Sequence, residues 1–167
     1  ELPIRDAISS IEHFMSNGKL EENEGPLSAE CETIETGKRL ALYIFNEALN
    51  RFGQDLKHEQ QITEILADIF MDLYTAESAV IRAQKIMNDG NLDRTVNSIV
   101  KIFTAEMVLR LLNMSLTAMN GIYSGHTTPK VIDQLRHFQA RMLLPTDIIN
   151  LKREVAQRIY NQNTYPF

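Results

Sequence analysis

Residues 60–87 read QQITEILADIFMDLYTAESAVIRAQKIM, without a proline or a glycine. At 100° per residue, Ile62, Ile65, Leu66, Ile69, Leu73, Ala76, Val80, Ala83 and Met87 fall on one stripe. Phe70, Tyr74 and Ile81 widen it on one side, and Met71 lies nearly opposite. So broad an apolar surface predicts a helix packed on more than one side and roughly 40 Å long. Glu64, Asp68 and Asp72, spaced by four, line one flank, and Glu77 borders the stripe. The rest of the chain is expected to organise around this helix.

Outward from it, periodic segments alternate with short breaks. Upstream, Ile34, Ala41, Ile44, Phe45, Ala48 and Phe52 make the inner face of a helix that starts near Ser28 or Thr33 and stops at Gly53. Downstream, Asn88-Asp89-Gly90-Asn91 ends the central helix, and Asn91 or Asp93 caps the next. That helix runs to about Asn120. Val96, Val100, Phe103, Met107, Leu111, Met114 and Ala118 form one face, and Ile102, Leu109, Leu112, Leu116 and Met119 a second. Thr128-Pro129 opens a shorter helix, with proline at its first position. Leu143-Leu144-Pro145-Thr146 interrupts, and Asn150 caps a last amphipathic helix.

At the other end, Ile4, Ala7, Ile8, Ile11 and Met15 predict a short helix within residues 1–16. Residues 17–32 are acidic and read as a loop, leaving 33–167 as the main bundle. No stretch has the alternation of a strand, and no repeat of fixed period is visible. The expected fold is all-α: an antiparallel bundle of three long helices with shorter N- and C-terminal ones.

Composition is that of an ordinary globular domain, 44% hydrophobic and 23% charged over 167 residues. A single cysteine, Cys31, excludes an internal disulfide and suits a reducing, cytoplasmic compartment. No initiating methionine precedes Glu1, so the sequence reads as part of a longer chain. The net charge of −5 argues against nucleic acid. That charge is uneven: residues 1–35 carry −7, residues 36–120 carry −1 and residues 121–167 carry +3. The acidic stretch reads as a solvated segment, with attraction to the basic end or an acidic docking surface as the alternatives.

Chemistry is sparse. A di-iron bundle needs inward Glu-x-x-His pairs, but the sole carboxylate with histidine three residues on is Asp55, before His58. Asp89 to Asp93 resembles a calcium loop, yet Arg94 stands where its glycine belongs and Val100 where its glutamate does. No metal site is expected. Cys31 sits among acids that raise a thiol pKa. His58 and His137 lack any pattern that marks a phosphoacceptor, and no glycine-rich phosphate loop exists. Glu77 is the one acid worth attention, either as a base in a pocket or as a structural ion pair, with Arg110 on the next helix as its expected partner. Met107, Met114, Met119 and Met142 read as core filling, with a partner-binding groove as the alternative.

Three segments resemble a known family. Residues 65–87, ILADIFMDLYTAESAVIRAQKIM, look like the long helix of the C-terminal extension of acyl-CoA dehydrogenases, of the very-long-chain type and its bacterial relatives. The likeness rests on Leu66, Ala67, Asp68, Tyr74, Glu77, Ser78, Arg82 and Ala83. The opening LPIRDAI and the ending NTYPF are similar as well. The resemblance implies a flavin adenine dinucleotide (FAD) enzyme that dehydrogenates acyl-CoA thioesters. It further implies that these residues form its extra helical domain, steadying a homodimer and packing on the rest of the parent chain. It carries over no catalytic, cofactor-binding or metal-binding residue. Glu77, Arg82 and Arg110 stand as structural candidates, and the isolated domain is expected to be inactive. Family members that attach to membranes do so near the start of this domain. Here that region is strongly acidic and would be repelled by anionic headgroups, so membrane binding is not expected. The rival reading is a free-standing helical adaptor that takes a partner helix or peptide in a Met-lined groove.

Overall fold

The computed structural model of the chain describes residues 25–88 and 94–162. Five α-helices account for most of them: α1 (Ser28–Phe52), α2 (Gln60–Asn88), α3 (Arg94–Ile122), α4 (Pro129–Met142) and α5 (Ile148–Gln162). A short 3₁₀ turn (Gly53–His58) joins α1 to α2. The described residues contain no strand. The helix expected within residues 1–16 and the caps proposed at Asn91 and Asp93 lie outside the described residues. Of the segment expected to be an acidic loop, Ser28 to Glu32 belongs to α1.

The three long helices run up, down and up. Cys31 meets Gln84 and Lys38 meets Glu77, so seven residues forward on α1 correspond to seven back on α2. Asp72 pairs with Arg110, and Gly121 lies against Ile62, which runs α3 antiparallel to α2. α4 returns along α1, where Tyr43 and Phe138 rings sit 6.0 Å apart, and α5 packs on α3.

The central stripe is realised on α2: Ile62, Leu66, Ile69, Leu73, Ala76, Val80 and Ala83 are all buried. The widened flank is not. Phe70, Tyr74 and Ile81 face outward, as do Met71 and, on α3, Leu109 and Leu116. The most enclosed helix is α1 instead: twelve of its 25 residues are buried, where it packs on α2, α3 and α4. Its hydropathy hid this. Glu30, Thr33, Thr36, Gly37, Arg39 and Asn46 are buried beside Leu40, Ala41, Ile44 and Ala48. Small and hydroxyl residues let neighbouring helices approach closely, and a hydroxyl can satisfy itself on its own helix. The Thr36 hydroxyl does so, donating to the Glu32 carbonyl at 2.9 Å. Met107, Met119 and Met142 are buried in the core, and Met114 packs against it half-buried.

Helix ends follow local chemistry. Gly53 at φ 53° ends α1, its N–H donating to the Leu49 carbonyl. α3 continues through Gly121 and stops where Ser124 (φ 50°) and Gly125 (φ 77°) turn left-handed, the Gly125 N–H reaching back to the Asn120 carbonyl at 2.8 Å. Thr128 and Pro129 open α4, without a side-chain cap bond from Thr128. The cap of α5 is Asp147 rather than Asn150. The Asp147 carboxylate accepts the Asn150 backbone N–H at 3.0 Å and its side-chain amide at 2.6 Å.

Candidate functional site

Glu77 sits on the seam between α1 and α2. Lys38 comes from the facing turn of α1, and its ammonium donates to Glu77 at 2.6 Å and to Glu35 at 2.7 Å. Burial pulls the Lys38 pKa down, but the hydrogen bonds to the two carboxylates outweigh it and hold the group above its ordinary value. The expected Glu77–Arg110 pair does not form. Arg110 forks onto Asp72 instead, Nε at 2.9 Å and Nη2 at 3.2 Å, and its guanidinium lies 5.8 Å from the Phe103 ring centre. Helix phase explains the switch: Asp72 and Glu77 lie on opposite flanks of α2, one toward α3 and the other toward α1. Glu77 and Lys38 are both about one-third or more exposed, so their pair contributes at most about 1 kcal/mol. Arg82 is exposed. The structure thus places the three sequence candidates apart.

Sequence reasoning missed two pairs because each links helices distant along the chain. The Tyr123 hydroxyl, just past α3, donates to Glu47 of α1. That bond, with burial behind it, pushes the phenol up to about 12. Tyr43 is driven upward too, by burial first and by the nearby Glu47. Lys152 of α5 pairs with Glu106 of α3. These contacts fasten helices together.

Cys31 faces α2, where the Gln84 amide donates to its Sγ at 3.5 Å. Burial pushes the thiol up, the Gln84 bond pulls it part of the way back, and Glu30 and Glu35 add to the rise. A thiol held in its protonated form is a poor nucleophile. Alkylation of Cys31 by iodoacetamide near neutral pH is therefore expected to run roughly tenfold slower than that of free cysteine. An equal or faster rate would contradict the burial described.

No group of three or more histidine, cysteine or acidic side chains converges on a metal-sized space among the described residues. No described helix is long and apolar enough to cross a membrane. A cleft of about 60 Å³ lies between α1 and α4. A flavin dinucleotide needs a pocket of some hundreds of Å³, so this cleft does not fit one.

The fold also places the chain among known proteins. A probable acyl-CoA dehydrogenase of Bacillus subtilis (strain 168) is 25% identical over 168 residues, covering 99% of this chain and 28% of that protein. The crystal structure of an acyl-CoA dehydrogenase complexed with FAD from Bacillus anthracis superposes with a TM-score of 0.82 at 22% identity. That match covers 100% of this chain and 28% of the other, so the chain spans just over a quarter of the length of both relatives. Residues 36–137, from the third turn of α1 through most of α4, match the family described as acyl-CoA dehydrogenase, C-terminal domain. An all-α bundle with this helix order and a family match over more than half its length belongs to the acyl-CoA dehydrogenase C-terminal domain family.

Proposed function

We propose that this chain is a non-catalytic helical domain of a cytoplasmic, FAD-dependent acyl-CoA dehydrogenase, which packs on the catalytic part of that enzyme and supports dimer assembly. The flavin and the acyl-CoA chemistry belong to the remainder of the parent chain. The observation that carries this reading is the outer face of α2. Ala67, Phe70, Met71, Tyr74, Ser78 and Ile81 share about a quarter of the helix circumference, and no charge lies on that face between Ala67 and Ile81, Lys85 following one turn later. Tyr74 and Ile81 are 71% and 60% exposed. Aromatic and methionine side chains with charge excluded are the composition of an interface centre. Such a face is costly to leave in water and is stabilised when covered.

The test is removal and return. The parent enzyme lacking these residues should keep its flavin and its turnover but lose assembly, and the added domain should restore it. A domain carrying Tyr74→Asp and Ile81→Asp should fold normally, since both side chains are exposed, yet bind the truncated enzyme at least about 30-fold more weakly. Loss of turnover with flavin and dimer intact would instead place a residue of this domain at the active site.

A further inference from the structure

α2 is 29 residues long, and its midpoint is Tyr74. The exposed residues of its outer face are ordered about that midpoint. Ala67 and Ile81 stand seven residues to either side, nearly two turns away and close to the line of Tyr74 itself. Met71 and Ser78 lie three before it and four after, on one flank. Glu64 and Arg82 lie ten before and eight after. Five full turns separate these two charges, so they share that flank. Tyr74, Met71 and Ile81 are more than half exposed, and Glu64, Ala67, Ser78 and Arg82 are exposed as well. Among the described elements, α2 packs on α1, α3 and the turn that joins it to α1, and the outer face is left open.

A face in this order is complementary to itself turned end over end. When two α2 helices run antiparallel across a two-fold axis at Tyr74, residues equally far on opposite sides of the midpoint come level. The small Ala67 then receives Ile81 of the other copy, and the small Ser78 receives Met71. The two Tyr74 rings meet at the axis. Glu64 comes within about 3 Å of the height of Arg82 of the other copy, on the same side of the seam. Each of these pairs occurs twice, because a two-fold contact repeats every interaction. We propose that the outer face of α2 is a homotypic contact, in which two copies of this domain meet through antiparallel α2 helices centred on Tyr74. The proposal rests on the reading above, that the domain supports dimer assembly, and gives that support its place and its partner. An unrelated surface has no cause to match large with small, and acid with base, about one residue. A domain paired at α2 holds two catalytic parts at once, through its other surfaces. Breaking the seam with Tyr74→Asp and Ile81→Asp therefore loosens that hold too.

Sedimentation equilibrium of the 167-residue chain at low salt is expected to show dimers below about 100 µM. Tyr74→Asp should weaken them about 30-fold or more. Arg82→Glu should weaken them at least about 3-fold, by setting Glu64 against a second acid, and adding Glu64→Arg should restore them. Register is read by cysteine pairs in a Cys31→Ser background. Mild oxidation should join Tyr74→Cys to itself. It should join Ala67→Cys to Ile81→Cys in a mixture, but not Ala67→Cys to itself. A chain that stays monomeric up to about 100 µM would overturn the proposal. So would additive losses from the two charge reversals, or an Ala67→Cys chain that joins to itself. The two readings fail separately. A monomeric domain whose binding to the truncated enzyme still depends on Tyr74 and Ile81 denies the homotypic contact and leaves the domain's role standing. A domain that dimerises yet ignores the truncated enzyme does the reverse.

Discussion

Leu73→Asp is expected to abolish cooperative folding. Leu73 is 2% exposed at the middle of the α2 stripe, facing α1 and α3. Removing it forfeits about 1.5–3 kcal/mol of apolar burial. The new carboxylate finds no cation within that core, and an unpaired buried charge costs several kcal/mol more, even after its pKa rises. Together these approach the whole stability of an ordinary domain, about 5–15 kcal/mol. The next residue supplies the control. Tyr74→Asp, on an exposed side chain, should shift stability by less than about 1 kcal/mol. Thermal melts followed by circular dichroism check both. A folded Leu73→Asp variant with an unchanged melting point would contradict the placement of the stripe.

Gly37→Leu should be almost as damaging, for a different reason. A Cβ placed on Gly37 would lie 2.6 Å from Leu73 Cδ2, 3.8 Å from Met142 Sδ and 3.9 Å from Leu111 Cδ1. Position 37 is therefore where α1 meets α2, α3 and the end of α4 at once. Alanine there gains up to about 1 kcal/mol in helix propensity but must displace a buried methyl, at about 1–3 kcal/mol. Leucine adds three further carbons where the core has no room, so its cost should exceed that of alanine by several kcal/mol. Leu73→Ala alone should cost about 2–5 kcal/mol. The double variant Gly37→Ala/Leu73→Ala should be less destabilised than the sum of its parts, because the second change deletes the atom that the first one strikes. Strict additivity, measured by denaturant unfolding, would deny the contact.

The contrast between these neighbours shows what the sequence made legible. The α2 stripe could be read because large aliphatic residues recur with helical period, and seven of the nine residues placed on it are buried, with Ile65 and Met87 partly so. Gly53 and Pro129 marked helix boundaries because their backbone preferences act locally. The enclosure of α1 was hidden, since threonine, glycine and asparagine score as polar while serving as close-packing surfaces. Phe70, Tyr74 and Ile81 extended the apolar pattern, but period alone does not say whether an apolar flank meets this chain or something outside it. Pairings across helices were least legible. Glu77 borders the stripe, and its partner depends on the relative phase of α1 and α2, which no single helix encodes. The α1–α4 cleft escaped notice for the same reason: Arg39 and Arg141, which both line it, stand 102 positions apart in the chain and come together only through the return of α4. Asn150 was read as a cap because it is a good capping residue, yet Asp147, three positions earlier, has the carboxylate that accepts the Asn150 backbone N–H.

The up-down-up order of the long helices bears on how the protein is made. α1, α2 and α3 pack on one another through chain neighbours, so their pairing needs only short loop closures and should be fast. On a ribosome these three emerge before α4 and α5, and their shared core can close while the rest is still being synthesised. The side of α1 that later receives Phe138 and Met142 stays uncovered until then. A ribosome-stalling series should therefore show protease resistance arising in two steps, once when Ile122 has cleared the exit tunnel and again when Met142 has.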